Sequence, residues 1–264
     1  MAAPDTITAS QLSRLVGTPD APVIIDVRSK EDRAADPRAI PASLPRDARM
    51  VATWTPDYAD RAVAVADRDG GELSQGAAAW LRQAGARAEY LEGGFEAWLA
   101  AGGLLIRSDQ VPRRTPQGRT VWVTRARPKI DRIACPWLIR RFIDPQAVFL
   151  FVASSEVVGV AERFGATSFD MDGDFWSHRG EACTFDTMLD EFGLDSPALA
   201  RLAVIVRGAD TGRLDIAPEA SGLLAASLGL SRMYRNDLAQ LDAAMPLYDA
   251  FYRWARDAVN ETHK

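Results

Sequence analysis

The fold of the second half of this chain follows from one stretch, RTVWVTRARPKIDRIACPWLIRRF, which runs from Arg119 to Phe142. Polar and apolar residues alternate over Thr120 to Thr124, which is typical of a strand. A basic turn follows, and a helix is predicted to begin near Asp131, whose carboxylate can cap the first free amides. Because proline has no backbone donor, Pro136 indicates either the first turn of that helix or a kink in it.

The same stretch carries seven basic side chains and one acid. Arginine forks and the free amides of a helix N-terminus both favour a bound oxyanion. We therefore expect a divalent oxyanion to bind at this turn, through Arg125, Arg127, Lys129 and Arg132. The alternative interpretation is a solvated surface turn, in which the arginine stems cover apolar surface and the charged heads stay in water.

A second unusual stretch, DMDGDFWSHRGEACTFD, runs from Asp170 to Asp186. Its acids match the first, third, fifth and twelfth positions of an EF-hand calcium loop. Phe175 stands at the sixth position, where that loop needs glycine, so we do not expect an EF-hand. His178 is the only histidine before the C-terminal tail, and it lies three residues from Glu181.

Histidine and carboxylate ligands suit manganese, iron, zinc and nickel. We expect one divalent transition metal, manganese or iron ahead of zinc, bound by His178, Glu181, Asp170 and Asp210. The alternative is structural: His178 would brace a turn, and the acids would cap a helix that begins near Thr184. Asp210 has a further alternative role as the partner of the basic turn.

The pattern of the first half predicts an α/β domain with a parallel sheet. Short apolar runs at Val23 to Val27, Arg61 to Ala66 and Arg87 to Leu91 alternate with helical segments. The second half predicts a mainly helical α+β domain, because the basic strand and a strand at Ala147 to Val152 are followed by four helical segments. The predicted domains are 1–108 and 119–264, joined by a proline-rich linker at 109–118.

Composition bounds the partners. The net charge is −5, and neither half is basic, so nucleic-acid binding is not expected. No apolar run approaches the about 20 residues of a membrane span, and no signal peptide is evident. Cys135 and Cys183 are the only cysteines, which excludes a disulfide framework and predicts a cytoplasmic location. Cys135 has two possible interpretations, an activated thiolate and a buried inert thiol. The sequence also leaves open whether the chain forms a homo-oligomer.

Three strings of the first half are specific: IIDVR, IPAS and LEGGFEAWLAAG. With the strand–loop–helix between them, residues 5 to 105 resemble a rhodanese-like domain. Rhodanese enzymes place a cysteine at the start of that loop, where it carries a persulfide. Asp67 stands at the matching position, and a carboxylate cannot carry sulfur. Sulfurtransferase activity is therefore not expected, and the domain is interpreted as a docking or stabilising module.

Residues 120 to 260 carry a second resemblance, in TRARPKIDRIACPWLIRRFIDPQAVFLFV, WSHRGEACTFD, RGAD and YDAFYRWARD. They resemble the C-terminal domain of the chromate-resistance protein family (ChrB). The resemblance implies an accessory or sensor protein in the resistance to chromate stress. Such a protein would bind chromate or a similar oxyanion, a divalent metal, or both. A metal-dependent enzyme and a transcriptional regulator are the alternatives. The family's regulators have a different N-terminal domain, so DNA binding does not carry over.

Overall fold

The computed structural model describes residues 5–261, and these residues divide into two compact units. The first unit extends to Asp109 and includes Arg141–Asp144. The second unit consists of Gln110–Arg140 and the residues from Pro145 onward. Within residues 5–261, no helix has both the length and the apolar character that crossing a membrane requires.

The first unit is built on a five-stranded sheet in the order β1-β6-β5-β2-β4, in which every pairing is parallel. A separate antiparallel pair joins β3 and β7. The strands are β1 (Thr6–Ile7), β2 (Val23–Asp26), β3 (Arg38–Ala39), β4 (Leu44–Pro45), β5 (Ala62–Ala66), β6 (Arg87–Leu91) and β7 (Ile106–Arg107). The helices are α1 (Ala9–Leu15), α2 (Lys30–Ala35), α3 (Val51–Trp54), α4 (Glu72–Gln83) and α5 (Gly94–Ala100).

This architecture confirms the predicted α/β class with a parallel sheet. The central strands β2 and β5 are nearly all apolar and buried, because helices cover the sheet. Helix α4 begins at Glu72, directly after the loop that follows β5.

The loop between β5 and α4 is tied together by a buried carboxylate. Asp67 Oδ1 accepts a hydrogen bond from the Gly70 amide at 2.6 Å, and Oδ2 accepts one from the Ser74 amide at 2.9 Å. The loop also packs closely on Gly94, where an added Cβ would lie 2.5 Å from the Gly70 nitrogen. The amides that would hold a persulfide in a rhodanese enzyme therefore bind Asp67 here.

The second unit combines a small parallel sheet with several helices. Its strands β8 (Val121–Arg125), β9 (Val148–Val152) and β10 (Thr167–Ser168) lie in the order β10-β8-β9. Its helices are α6 (Asp131–Leu138), α7 (Val157–Phe164), α8 (Thr184–Phe192), α9 (Pro197–Thr211), α10 (Ala220–Met233) and α11 (Asp237–Arg253). The predicted mainly helical α+β class is confirmed.

Aromatic packing holds three of these helices together. The ring of Trp137 on α6 stacks on Phe185 of α8, with centroids 6.4 Å apart, and lies 6.2 Å from Tyr248 of α11. Its indole nitrogen donates a hydrogen bond of 2.8 Å to Asp249 Oδ1, so the buried N–H has a partner.

One local prediction needs correction: Asp131 is the first residue of α6, and Ile130 precedes it as the cap. Pro136 lies inside α6 and not in its first turn, and the helix continues as a π-helical turn at Ile139–Ile143. Helix α9 passes through Gly208 without ending there. A Cβ on Gly208 would lie 3.0 Å from the Ala220 Cβ, so this glycine serves close packing against α10.

Candidate metal centre

Four segments of the second unit bring one histidine and three aspartates together. Asp131 begins α6, the helix that connects the parallel strands β8 and β9. Asp170 lies two residues beyond β10, in the left-handed conformation with φ of 55°. His178 lies in the loop that follows, and Asp210 lies near the end of α9. We call these four residues the candidate centre. Strand ends and helix starts meet at the carboxyl edge of a parallel sheet, where ligands commonly bind.

The imidazole lies at the middle of the group. His178 Nε2 is 3.4 Å from Asp131 Oδ2, 3.5 Å from Asp170 Oδ1 and 3.3 Å from Asp210 Oδ2. The nearest ligand atoms of Asp131, Asp170 and His178 all lie within 4.8 Å of one another.

These distances match a metal site better than a set of hydrogen bonds. Charge-assisted N–H···O bonds are shorter, about 2.7–2.9 Å. Four donors around a tetrahedral ion, each about 2.0–2.2 Å from it, lie about 3.3–3.6 Å from one another. The three contacts of the imidazole nitrogen fall in that interval. The ligand atoms of Asp131, Asp170 and His178 are close enough together to hold one ion.

The candidate centre is buried on one side and open on the other. The side chain of Asp131 is 1% exposed, whereas that of His178 is 41% exposed. Asp131 Oδ2 is the oxygen that faces His178 Nε2. A buried carboxylate is costly without a compensating positive charge, and a cation bound at Oδ2 would supply one.

The pKa values of His178, Asp210 and Asp131 are all raised at this site. The Asp131 carboxylate raises the pKa of His178 to about 9 against the opposing effect of burial, and Asp210 and Asp170 add to the increase. Burial raises the pKa of Asp210 to about 7, with the charges of Asp131 and Asp170 contributing. Burial likewise raises the pKa of Asp131. The group therefore retains protons that its side chains would lose in water, as expected where a cation is favoured.

Two residues of the predicted oxyanion turn contact the candidate centre. Arg125 ends β8, next to β10 in the sheet, and its Nη2 lies 3.1 Å from Asp170 Oδ2. Arg132 Nε lies 3.2 Å from the same oxygen. Both guanidinium groups hold the outer oxygen of Asp170 and leave Oδ1 facing His178.

The other two residues of that turn are used differently. Arg127 donates hydrogen bonds to the carbonyls of Ser231 and Tyr234, and its amide donates to Asp237 Oδ2 at 3.1 Å. It therefore clamps the turn to the junction of α10 and α11. Lys129 is exposed and makes no ion pair with the candidate centre. The structure thus does not assemble the four basic residues into one anion pocket.

Glu181 is also separated from the candidate centre. Its side chain is 87% exposed, and its Oε2 lies 3.0 Å from Arg213 Nη1. Asp186 has the capping role that the alternative interpretation gave to the acids, because its Oδ2 accepts from the Cys183 amide at 2.9 Å. Burial raises the pKa of both Cys135 and Cys183, which favours the inert thiol.

Asp131 is a member of the candidate centre that the sequence pattern indicated only as a helix cap. One signal could have pointed to it: an acid standing alone among seven basic residues at a strand–turn–helix junction. Its proximity to His178, 47 residues later in the sequence, has no local signature.

A profile described as ChrB, C-terminal domain, matches residues 122–255, which is half of the chain. The chain belongs to this family. A rhodanese-like profile matches residues 8–101. Protein ChrB of Cupriavidus metallidurans is 41% identical over 146 residues, covering 54% of this chain and 43% of that protein. The chain thus spans less than half of the length of this relative.

Solved structures with similarity to the chain include rhodanese-type proteins. A rhodanese-related protein from Thermoplasma volcanium is 24% identical, covers 38% of this chain and 95% of its own, and has a TM-score of 0.33. A thiosulfate sulfurtransferase from Pseudomonas aeruginosa is 14% identical, covers 78% of this chain and 48% of its own, and has a TM-score of 0.35. Scores this low add nothing to the family assignment.

Proposed function

We propose that this chain binds one divalent transition metal ion at the candidate centre and acts in resistance to chromate. The spacing of 3.3–3.5 Å from His178 Nε2 to three carboxylate oxygens supports the metal. Membership of the ChrB C-terminal domain family supports the role in chromate resistance. Three oxygen donors and one nitrogen donor favour manganese or iron ahead of zinc, because hard carboxylates predominate.

The metal proposal is tested by elemental analysis and calorimetry of the purified full chain. We expect one ion per chain in the wild type. Asp131→Asn and His178→Ala each remove a ligand and should weaken binding by at least about 100-fold, the upper end of what losing a residue that only supports a ligand costs.

Glu181→Gln is the matched control, because it removes an acid three residues from His178 that lies outside the candidate centre. It should leave the metal affinity unchanged. Full occupancy in His178→Ala, or equal losses in Glu181→Gln and Asp131→Asn, would contradict the proposed ligand set.

A second inference concerns the oxyanion. We infer that chromate or a similar oxyanion binds on the exposed side of the metal, next to Arg125. With a dication bound and a neutral imidazole, three carboxylates and two arginines leave one net positive charge, which favours an anionic ligand. The exposed fractions of 41% for His178 and 42% for Arg125 leave that side accessible. Of the residues predicted to bind the anion, the inferred site includes Arg125 and excludes Arg127 and Lys129.

Chromate and sulfate binding to the manganese-loaded and metal-free proteins tests this inference. One charge-assisted hydrogen bond contributes about 1.5–3 kcal/mol, so Arg125→Gln should weaken binding by about 10- to 100-fold. Lys129→Ala removes a nearby exposed charge and should have little effect. Equal affinity of the wild type and Arg125→Gln, or binding that ignores the metal, would rule the inference out.

A further inference from the structure

The first turn of α8 contacts two of the aspartates of the candidate centre through one residue. Thr184 is fully buried. Its amide donates a 2.5 Å hydrogen bond to Asp131 Oδ2, and its hydroxyl donates a 3.0 Å hydrogen bond to Asp170 Oδ1. These are the same two oxygens that face His178 Nε2. Thr184 therefore fixes which oxygen of each carboxylate is presented to an ion.

The histidine loop is held by the same face of the helix. Thr187 lies three residues after Thr184, so both side chains project from one side of α8. Its hydroxyl donates a 2.8 Å hydrogen bond to the carbonyl of Ser177, the residue before His178. One turn of α8 thus supports three of the four members of the candidate centre.

Helix α8 is itself well fixed. Asp186 caps its first turn and pairs with Arg207 of α9 at 2.9 Å, and α9 carries Asp210. Phe185 packs on Trp137 of α6, the helix that begins with Asp131. Helix α8 is therefore packed against both helices that carry members of the candidate centre, α6 with Asp131 and α9 with Asp210.

We propose that Thr184 is the positioning residue of the metal centre and that it keeps the centre small. The proposal rests on the metal binding proposed above and adds the origin of its selectivity. Fixed carboxylate oxygens favour ions with bonds of about 2.0–2.2 Å over calcium, which takes six to eight oxygen ligands at about 2.3–2.6 Å. Losing the hydroxyl releases Asp170 Oδ1 while Arg125 and Arg132 still hold Oδ2, so Oδ1 can move outward and admit a larger ion.

The experiment compares Mn²⁺ and Ca²⁺ affinities of full-length variants by calorimetry. Thr184→Val keeps the shape and the amide but loses the hydroxyl, and we expect Mn²⁺ binding to weaken by about 10- to 100-fold. Ca²⁺ binding should weaken less, so the preference for Mn²⁺ over Ca²⁺, measured as the ratio of their affinities, should decrease. Thr184→Ser retains both donors and should restore the wild-type values.

Thr120→Val is the matched control, because the buried Thr120 hydroxyl accepts from the Trp122 indole at 3.0 Å and Thr120 is not a member of the candidate centre. It should lower stability without changing the affinity ratio. If Thr184→Val does not fold, Thr187→Val carries the same test through the histidine loop. If folded Thr184→Val had the wild-type Mn²⁺ affinity and the wild-type ratio of Mn²⁺ to Ca²⁺ affinity, the role of Thr184 would be overturned and the metal centre would stand. A wild type that binds no metal would overturn the metal centre and this proposal together.

Discussion

At the residue scale, the candidate centre is a place where positive charge is required. Three carboxylates surround one imidazole nitrogen, and Asp131 is almost entirely buried. The neighbouring carboxylates raise the pKa of His178 to about 9, so without a metal the protonated imidazole supplies part of that charge. A metal ion and this proton therefore compete for the same site.

The first prediction is that the metal-free protein loses stability as the pH rises from 7 to 9.5. A folded-state pKa of about 9 for His178 lies above the value of 6.5 in the unfolded chain. The folded state then binds more protons in this interval, so the free energy of unfolding decreases as pH increases. The contribution is fully present below pH 6.5 and is lost through pH 9. Thermal unfolding in chelator, measured across this interval, gives the slope.

His178→Asn is the control for this slope, because asparagine keeps a polar group but does not titrate. The variant should show a flatter dependence of unfolding temperature on pH over the same interval. Parallel curves for the wild type and His178→Asn would show that the imidazole is not the titrating group.

At the element scale, the loop from β5 to α4 shows how a side chain can replace a bound anion. Two amides of the loop donate to the Asp67 carboxylate, which is 3% exposed. The carboxylate stabilises the loop and leaves no thiol at the position where rhodanese enzymes use one.

The second prediction is that thiosulfate:cyanide sulfurtransfer is absent and that Asp67→Ala is destabilising. Hydrogen bonds to charged groups contribute about 1.5–3 kcal/mol each, so removing both should lower the free energy of unfolding by about 3–6 kcal/mol. Urea unfolding of the variant measures this loss. Asp69→Asn, at an exposed position of the same loop, should change stability little. Sulfurtransfer that disappears in Asp67→Ala, with both cysteines intact, would contradict the interpretation of the loop.

At the scale of the whole molecule, the proposed metal joins segments that are far apart in the chain. Asp131, Asp170, His178 and Asp210 come from a helix start, a strand end, a loop and a second helix of one unit. An ion that binds only the folded state stabilises that unit by mass action.

The third prediction is that manganese raises the unfolding temperature of the second unit. At a free concentration 100 times the dissociation constant, the stabilisation is about 2.7 kcal/mol. For a unit of this size, that corresponds to about 5–10 °C. Calorimetric scans with manganese and with chelator measure the shift. His178→Ala should show no shift, and an equal shift in that variant would locate the ion elsewhere.

Local pattern determined much of the fold. The strand predicted at Arg87 to Leu91 is β6, and the helix predicted to begin near Thr184 is α8, because periodicity and caps are properties of neighbouring residues. Gly208, by contrast, packs closely against Ala220 of α10, a contact that no local pattern reports.

His178, Asp170 and Asp210 can be named as candidates without a structure, because a lone histidine among acids is a compositional signal. Their arrangement depends on the packing of the helices, which places Asp131 beside His178, Thr184 against Asp131 and Glu181 next to Arg213. Arg127 is bound at the junction of α10 and α11. A local pattern reports interactions within a few residues, whereas the contacts of Asp131 with His178, Thr184 and Asp210 join residues 47 to 79 positions apart.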